Sequence, residues 1–252
     1  MLSRRQFLDC VQKEFDCIDI LVNVAGGVKR SAFMQTTREH NAAAIRLNFR
    51  YILDSIQRAV PLIREGAKAA APSILQHIEA HRGAANHAVY AGAKAATANF
   101  SRALAVELAS EGIRVNLIAP DTTPSVTSMR SLEPEMQAKF SALPLHAFEQ
   151  VYRMYIPQKR PPSEEALADS VLFLASDLSK SITGTTLHVD GGTMAASDFI
   201  DWPFGDGYGP APLPETINRL FAQPVMGDAG AGQSSQESSN RFSRARSHSG
   251  AA

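Results

Sequence analysis

The spacing of hydrophobic residues changes several times along the chain, and each change predicts a different element. From Leu2 to Phe15 the apolar residues fall on one helical face. The segment Ile18 to Val24 is almost continuously apolar, as a buried strand is, and it runs into the tripeptide Ala25-Gly26-Gly27. The pattern therefore predicts a helix, a buried strand and a tight glycine turn.

The same alternation continues through the middle of the chain. A second helix is predicted over about Arg38 to Arg64, and a short strand begins near Ser73. A long helix rich in small residues follows from His87 to Ser110, and the strand Arg114 to Ala119 ends at Pro120. The order of elements to this point is α-β-α-β-α-β.

The pattern is irregular from Asp121 to Pro162, apart from a short helix predicted over Pro134 to Ala142. Ser163 opens a helix that reaches about Ser176, and Thr185 to Val189 is a final strand. Strands that alternate with helices of this length predict an α/β fold with a doubly wound parallel sheet.

The C-terminal part differs in composition. Residues 199–225 begin with aromatic, glycine and proline residues, and residues 226–252 are mostly Gly, Ala, Ser and Gln with scattered Arg. The latter composition cannot bury enough apolar surface to order itself. We divide the chain into a main domain over 1–198, an extension over 199–225 and a disordered tail over 226–252.

Composition and charge exclude several classes of protein. The 252 residues are 44% hydrophobic, and 25 basic side chains balance 25 acidic ones. A net charge of zero gives no global attraction to nucleic acid or to an anionic membrane. Only Cys10 and Cys17 occur, and no apolar run approaches the roughly 18 residues of a membrane helix. We expect a reduced, cytoplasmic protein without a membrane or nucleic-acid partner.

One local pattern carries chemistry. Tyr90-Ala-Gly-Ala-Lys94 places a phenol and an ammonium four residues apart on one helix face. A lysine beside a tyrosine favours the phenolate and lowers the phenol pKa from about 10, which suits a general acid/base acting on an alcohol or carbonyl. Taken alone, the pair is weak evidence for a site, because both residues are common on solvated helix faces.

Four segments in a fixed order supply a context for this pair. DILVNVAG ends at Gly26, YAGAK begins at Tyr90, RVNLIAPDTTPS begins at Arg114, and ITGTTLHVDGG ends at Gly192. Together they resemble the classical short-chain dehydrogenase/reductase family over about Leu2 to Ser197. The resemblance implies a Rossmann-type sheet, an oxidoreductase that uses NAD or NADP, a small alcohol or ketone substrate, no metal, and a homo-oligomer.

The resemblance also implies roles for individual residues. Tyr90 would exchange a proton with the substrate oxygen, while Lys94 would lower the pKa of Tyr90 and bind the nicotinamide ribose. Asn48 matches the helix asparagine that holds a water in the proton relay. The alternative for Asn48 is an asparagine inside a helix that only bonds to the backbone.

The position of the family's substrate-orienting serine is occupied by His77. An imidazole can donate a hydrogen bond to a carbonyl oxygen, although it is larger than a serine and its charge varies with pH. The alternative is that this position has lost its function.

Residues for the cofactor follow from the same resemblance. The positions that match are Asn23, Ala25, Gly26, Pro120, Thr123 and Ser125, together with Tyr90 and Lys94. Thr123 would offer its backbone to the carboxamide and Ser125 a hydroxyl to the diphosphate, unless each is ordinary loop chemistry. Two departures stand out, because Val24 replaces an asparagine and Asp121 replaces a glycine. We expect a carboxylate at Asp121 to be unfavourable beside an anionic cofactor.

The family's glycine-rich turn, TGxxxGxG, does not occur before the segment that resembles its second half. That turn lets a pyrophosphate approach a helix N-terminus, and the residue that selects NAD or NADP follows it. Without its neighbour, Ile18 to Val24 would be an exposed apolar sheet edge. A truncated gene model, an alternative start and a degenerate paralogue would each explain this.

Two functions remain open. The first is interconversion of a secondary alcohol and a ketone with Tyr90 as acid/base. The second is a catalytically impaired relative that acts through oligomerisation or protein interaction. Small residues on the long helix would permit close pairing of subunits: Ala88, Gly92, Ala95 and Ala96.

The aromatic segment from Ser197 to Pro214 would either cover a hydrophobic pocket or form a subunit contact. In the first case it suggests an alicyclic, aromatic-diol or steroid-like alcohol as the substrate.

Overall fold

The computed structural model describes residues 4–66, 73–75, 80–124 and 134–221. Its main feature is a four-stranded parallel sheet in the order β1-β2-β3-β4. The strands are β1 (Val22–Asn23), β2 (Ser73–Leu75), β3 (Asn116–Pro120), β4 (Thr186–Val189), β5 (Ile200–Trp202) and β6 (Gly207–Gly209). The helices are α1 (Arg4–Glu14), α2 (Arg38–Ile45), α3 (Tyr51–Glu65), α4 (Ala88–Leu108), α5 (Pro134–Ser141), α6 (Leu145–Tyr155), α7 (Glu164–Ala175), α8 (Thr193–Ala196) and α9 (Pro214–Phe221).

The α/β class and the parallel sheet confirm the prediction of an incomplete Rossmann-type fold. The central strand β3 is buried along its whole length. A hydrophobic core lies between α3, α4 and β3, with Ile52 and Val115 fully buried in it. The buried Arg114 secures β3 to the end of α7, because its guanidinium donates to Leu174 O at 2.8 Å and to Ser179 Oγ at 2.7 Å.

The first strand is shorter than the sequence predicts. Only Val22 and Asn23 pair with β2, whereas the apolar pattern extends from Ile18 to Val24. Ile20, Val22 and Val24 are exposed, as expected for a strand with one neighbour. The shortening follows from this edge position, since a ladder on one side fixes fewer residues than a ladder on both.

The helix predicted over Arg38 to Arg64 is interrupted. A π-helical turn over Arg46–Arg50 separates α2 from α3. Such turns insert one extra residue into a helix and occur frequently at functional sites. Here the turn contains the fully buried Asn48, so the interruption coincides with a predicted site residue.

The segment Asp121 to Pro162 is more regular than predicted. Helix α5 confirms the short helix, but α6 was missed, and the expectation of irregular structure there is wrong. The apolar residues Leu145, Phe148, Val151, Tyr152 and Tyr155 follow helical spacing, a signal present in the sequence. The prolines that flank α6 obscured it.

The aromatic extension forms an antiparallel hairpin of β5 and β6, followed by α9. Lys159 attaches this hairpin to the chain after α6, because its Nζ contacts the Asp201 carboxylate and lies 3.0 Å from the Tyr208 hydroxyl. The tail predicted to be disordered, 226–252, lies outside the described residues. Within the described part of the chain, no helix combines the length and apolar character needed to cross a bilayer.

Candidate functional site

The predicted acid/base pair lies at the start of α4. Tyr90 and Lys94 are both nearly buried, with 8% and 4% of their surface exposed. Lys94 Nζ lies 5.6 Å from the centre of the Tyr90 ring, and the His87 ring stands edge-on to Tyr90 at 6.2 Å. Helical spacing therefore brings the phenol and the ammonium together, and burial removes both from bulk solvent.

Asn48 is fixed by the backbone on two sides. Its Nδ2 donates to Gly27 O at 2.8 Å and to Ala44 O at 2.9 Å, while its Oδ1 accepts from Gly27 N at 3.1 Å. The side chain thus joins the π-helical turn to the loop that follows β1. This arrangement contains the backbone bonding considered as the alternative for Asn48, and it also positions the residue beside Lys94.

Gly26 is the point where these groups converge. A Cβ atom at this residue would lie 3.1 Å from Asn48 Oδ1 and 3.2 Å from Lys94 Nζ, closer than ordinary van der Waals contact. The preceding Ala25 is held by a hydrogen bond from the Tyr51 hydroxyl to its carbonyl oxygen. Glycine at position 26 therefore allows the strand end, the π-helical turn and α4 to meet.

Thr97 belongs to the same cluster and was missed by the sequence analysis. It is fully buried, and its hydroxyl lies 3.2 Å from Asn48 O and 3.0 Å from Ala93 O. Thr97 stands seven residues after Tyr90, on the same face of α4. That spacing is the signal that could have identified it.

Among the cofactor positions, Asn23 has an informative environment. It is 5% exposed at the end of β1, and its Nδ2 has no hydrogen-bond partner within the described residues. A buried amide donor without a partner is costly, and a bound ligand would satisfy it. This orphaned donor suits an oxygen of NAD or NADP, and the resemblance assigns this turn to the adenosine side of the cofactor.

The carboxyl end of β3 holds Asp121, which is 3% exposed. Its carboxylate accepts hydrogen bonds from the Tyr155 hydroxyl at 2.6 Å, from Thr193 Oγ1 at 2.8 Å and from Thr122 Oγ1 at 3.0 Å. Arg82 Nη2 lies 3.3 Å from both carboxylate oxygens. The charge expected to be unfavourable is therefore paired within the protein.

Tyr155 is a second, half-buried phenol at this end of the sheet. Burial, and then its hydrogen bond to the Asp121 carboxylate, raises the pKa of Tyr155 to about 12. The phenol consequently stays protonated at neutral pH and acts as a hydrogen-bond donor. It cannot supply the phenolate that a general base requires.

The remaining predicted residues differ in how they are placed. Pro120 is buried at the end of β3, and Thr123 is half-buried with its hydroxyl 3.4 Å from Asp121 O. His77 and Ser125 lie outside the described residues. No group of three or more His, Cys, Asp or Glu side chains suited to a metal ion occurs among the residues described.

A cavity of about 290 Å³ opens beside Tyr90. Its wall comes from the loop after β1, from α2 and its π-helical turn, and from the start of α4; it includes Phe33, Leu47, Lys29 and His40. The aromatic residues of the C-terminal hairpin are not part of this lining, and Phe199, Phe204 and Tyr208 are exposed. The expectation that this segment covers a pocket gains no support from the cavity.

The chain resembles known proteins over most of its length. A family model described as enoyl-(acyl carrier protein) reductase matches residues 3–194. L-xylulose reductase of Bos taurus is 32% identical over 184 residues, which cover 71% of this chain and 68% of the relative. The 3-oxoacyl-(acyl-carrier-protein) reductase FabG of Escherichia coli K12 is 32% identical over 193 residues, covering 75% and 72%.

Solved structures agree with the sequence comparison. An NADPH-bound short-chain oxidoreductase of Pseudomonas aeruginosa PAO1, described as having an atypical catalytic center, is 28% identical with a TM-score of 0.65, covering 75% of this chain and 70% of its own. An oxidoreductase of the same family from Burkholderia thailandensis is 26% identical with a TM-score of 0.63, covering 76% and 69%. The chain belongs to the short-chain dehydrogenase/reductase family of oxidoreductases.

Proposed function

We propose that this protein is an NAD(P)-dependent oxidoreductase that interconverts a secondary alcohol and a ketone, with Tyr90 as the general acid/base. The observation that carries this proposal is the cluster of buried Tyr90, Lys94 and Asn48, which closes around Gly26. A lysine is almost never buried this deeply unless its charge is paired. Placed beside a buried phenol, it favours the phenolate that accepts a proton from an alcohol.

Each residue of the cluster has a proposed task. Tyr90 exchanges a proton with the substrate oxygen, and Lys94 stabilises the phenolate and binds the nicotinamide ribose. Asn48 holds the π-helical turn against Gly27 through two hydrogen bonds. We propose that Asn48 also holds the water of the proton relay. The Thr97 hydroxyl donates a hydrogen bond to the Asn48 carbonyl oxygen and so helps to hold Asn48 in place.

The cofactor, when bound, supplies or accepts the hydride. The described residues that would hold it at the carboxyl edge of the sheet are Asn23, Ala25, Gly26, Pro120 and Thr123, with Tyr90 and Lys94. Ser125, which follows them in the sequence, is proposed from the resemblance alone. The orphaned Asn23 amide supports this placement, because a hydroxyl of the ligand would complete its hydrogen bonding. We propose no preference between NAD and NADP.

The substrate oxygen must lie at Tyr90, and the adjoining cavity is the space for the rest of the molecule. Its volume of about 290 Å³ is at the small end of ligand pockets. Phe33 and Leu47 make part of its wall apolar. We propose that His77 donates a hydrogen bond to the substrate carbonyl in place of a serine hydroxyl.

A second function is favoured by a separate observation. The exposed apolar residues Ile20, Val22 and Val24 follow the free edge of β1, and such edges pair readily with another strand. A chain that has lost cofactor binding could act through this edge as an interaction protein. Cofactor affinity discriminates between the two functions.

Self-association is a further part of the proposal. Ala88, Gly92 and Ala95 are exposed along α4, and a Cβ atom added to Gly92 would meet nothing within 4 Å. Two copies of α4 could therefore approach closely and form a homo-oligomer. Sedimentation velocity of the wild type and of Gly92→Arg tests this, because the arginine should shift the protein toward the monomer.

The test of catalysis combines binding and turnover. The purified chain is titrated with NADH and with NADPH while fluorescence and thermal stabilisation are followed, and a panel of ketones is then assayed. We expect Tyr90→Phe to keep the cofactor affinity and to lose turnover. Tyr152→Phe, the same change in α6, should leave both unaltered.

Two outcomes would contradict the proposal. Retained turnover in Tyr90→Phe would remove Tyr90 from the chemistry. A cooperatively folded wild type that binds neither cofactor would favour the interaction protein.

A further inference from the structure

The group around Asp121 joins four separate parts of the chain. Arg82 precedes α4, Asp121 follows β3, Tyr155 is the last residue of α6, and Thr193 is the first residue of α8. Asp121 follows β3 directly and Thr193 follows β4 after a three-residue turn, so the group lies at the carboxyl edge of the sheet. In doubly wound folds this edge is where ligands bind.

The hydrogen bonding of the group is complete at its centre. Asp121 Oδ2 accepts from Tyr155 and Thr193, and Oδ1 accepts from Thr122 and Arg82. Arg82 Nη1 also donates to the Tyr155 hydroxyl at 2.5 Å. A buried carboxylate that accepts four hydrogen bonds, one from a cation, loses stability with each partner that is removed.

The chain that follows Tyr155 is fixed independently by packing. Ile156 is fully buried, and a Cβ atom on Gly191 would lie 2.5 Å from its Cγ2. Gln158 N donates to Gly191 O at 3.0 Å, and a Cβ atom on Gly192 would lie 3.2 Å from Pro157. The end of α6 is therefore seated against the turn after β4, with the Asp121 group directly beside this contact.

We propose that Asp121, Arg82, Tyr155 and Thr193 form a lock that holds the C-terminal end of α6 against the carboxyl edge of the sheet. Asp121 and Tyr155 are positioning residues in this proposal. They do not touch the reacting atoms. They hold the C-terminal end of α6 at the edge of the sheet where the proposed cofactor residues Pro120 and Thr123 lie.

The lock also explains how a carboxylate is tolerated where the family pattern has a glycine. Arg82 balances the negative charge of Asp121, and the hydroxyls of Tyr155 and Thr193 both donate hydrogen bonds to Asp121 Oδ2. An anionic cofactor at the same edge meets a neutral group of four side chains. Removing Arg82 would expose the cofactor to the unpaired charge, so Arg82 has an electrostatic task besides its structural one.

Hydrogen exchange tests the lock without reference to catalysis. In Tyr155→Phe we expect amides of residues 150–158 to exchange at least tenfold faster than in the wild type, because the helix end opens more often. Tyr152→Phe removes a hydroxyl from the same helix without touching the group, and exchange there should match the wild type. Equal protection in Tyr155→Phe and Tyr152→Phe would overturn the proposal.

A second variant keeps the proposal testable if Tyr155→Phe does not fold. Thr193→Val keeps the shape of the side chain and removes one donor to Asp121, so it should accelerate exchange of the same amides by a smaller factor. If Thr193→Val leaves α6 fully protected and Tyr155→Phe does not fold, the lock is refuted, since a cooperative group must respond to either loss.

The role in positioning rests on the proposed oxidoreductase function, and kinetics address it separately. Tyr155→Phe and Thr193→Val should raise KM for the ketone about tenfold and change kcat by less than twofold. Arg82→Gln should instead weaken NADPH binding about tenfold, with Arg82→Lys restoring part of the affinity. An unaltered NADPH affinity in Arg82→Gln would overturn the electrostatic role, whereas absence of turnover in the wild type would refute only the proposed function.

Discussion

The Asn48 side chain and the Gly27 backbone exchange two hydrogen bonds, of 2.8 and 3.1 Å, across 21 residues of sequence. This pair attaches the π-helical turn between α2 and α3 to the loop after β1. Because Asn48 is fully buried, its side-chain amide cannot bond to bulk water if the pair is broken. The relationship holds Gly26 beside Lys94.

We expect Asn48→Ala to lower the free energy of unfolding by about 1–3 kcal/mol, since it removes three hydrogen bonds made by a fully buried side chain. Urea unfolding measures the loss. Asn99→Ala is the matched control, because Asn99 is an exposed helix residue, and its change should stay within about 0.5 kcal/mol. Equal effects of the two substitutions would contradict the role of Asn48.

Gly26→Ala should displace Lys94, because the added methyl would lie 3.2 Å from its Nζ. A displaced ammonium no longer serves Tyr90, so kcat/KM should fall roughly ten- to hundredfold. Gly92→Ala in α4 has open space, and it should raise the free energy of unfolding by about 0.5–1 kcal/mol without weakening NADPH binding. A Gly26→Ala protein with unaltered kcat/KM would show that the close approach has no catalytic importance.

The parallel sheet and the pairing of Tyr90 with Lys94 could both be predicted from the sequence. Alternation of helices and strands is a local property, and so is the helical repeat that places residues four apart on one face. The structure bears out the fold, whereas the roles assigned to Tyr90, Lys94 and Asn48 stay predictions. From the sequence one can predict that Tyr90 and Lys94 lie close together, because both belong to one helix.

The Asp121 group could not be predicted in the same way. Thr193 and Asp121 are 72 residues apart, and Arg82 and Asp121 are 39 apart, so no spacing rule connects them. In the sequence, Asp121 is recognisable only as a carboxylate that would be unfavourable beside an anionic cofactor. The π-helical turn was hidden for a similar reason, since it contains the buried Asn48, whose partner Gly27 lies outside the helix.

Substitutions at two glycines distinguish the cost of backbone strain from the cost of a steric clash. Gly191 has a φ of 66° and Gly112 has a φ of 74°, but a Cβ atom would collide with Ile156 only at Gly191. We expect Gly112→Ala to cost about 1–2 kcal/mol of unfolding free energy from strain alone. Gly191→Ala should cost a further 1–3 kcal/mol, roughly, from overpacking. Chemical denaturation compares the two, and equal losses would refute the tight seating of Ile156.

His81 and His188 form a pair of imidazoles whose ring centres are 5.0 Å apart, edge to face. His81 Nε2 and His188 Nδ1 are buried and have no hydrogen-bond partner within the described parts of the chain. Burial, with the nearby charges of His188 and Arg102, lowers the pKa of His81 from its usual 6.5. The folded protein therefore resists protonation at His81.

The unfolded chain binds that proton more readily, so the stability contributed by neutral His81 is present above about pH 6.5 and is lost as the pH falls through its lowered folded-state pKa. We expect the free energy of unfolding to decrease between roughly pH 7.5 and 5. His81→Asn should reduce this decrease, whereas His146→Asn, an exposed change on α6, should keep the wild-type slope. Urea unfolding at several pH values measures these slopes. If His81→Asn and His146→Asn give the same slope as the wild type, His81 does not govern the acid sensitivity of the fold.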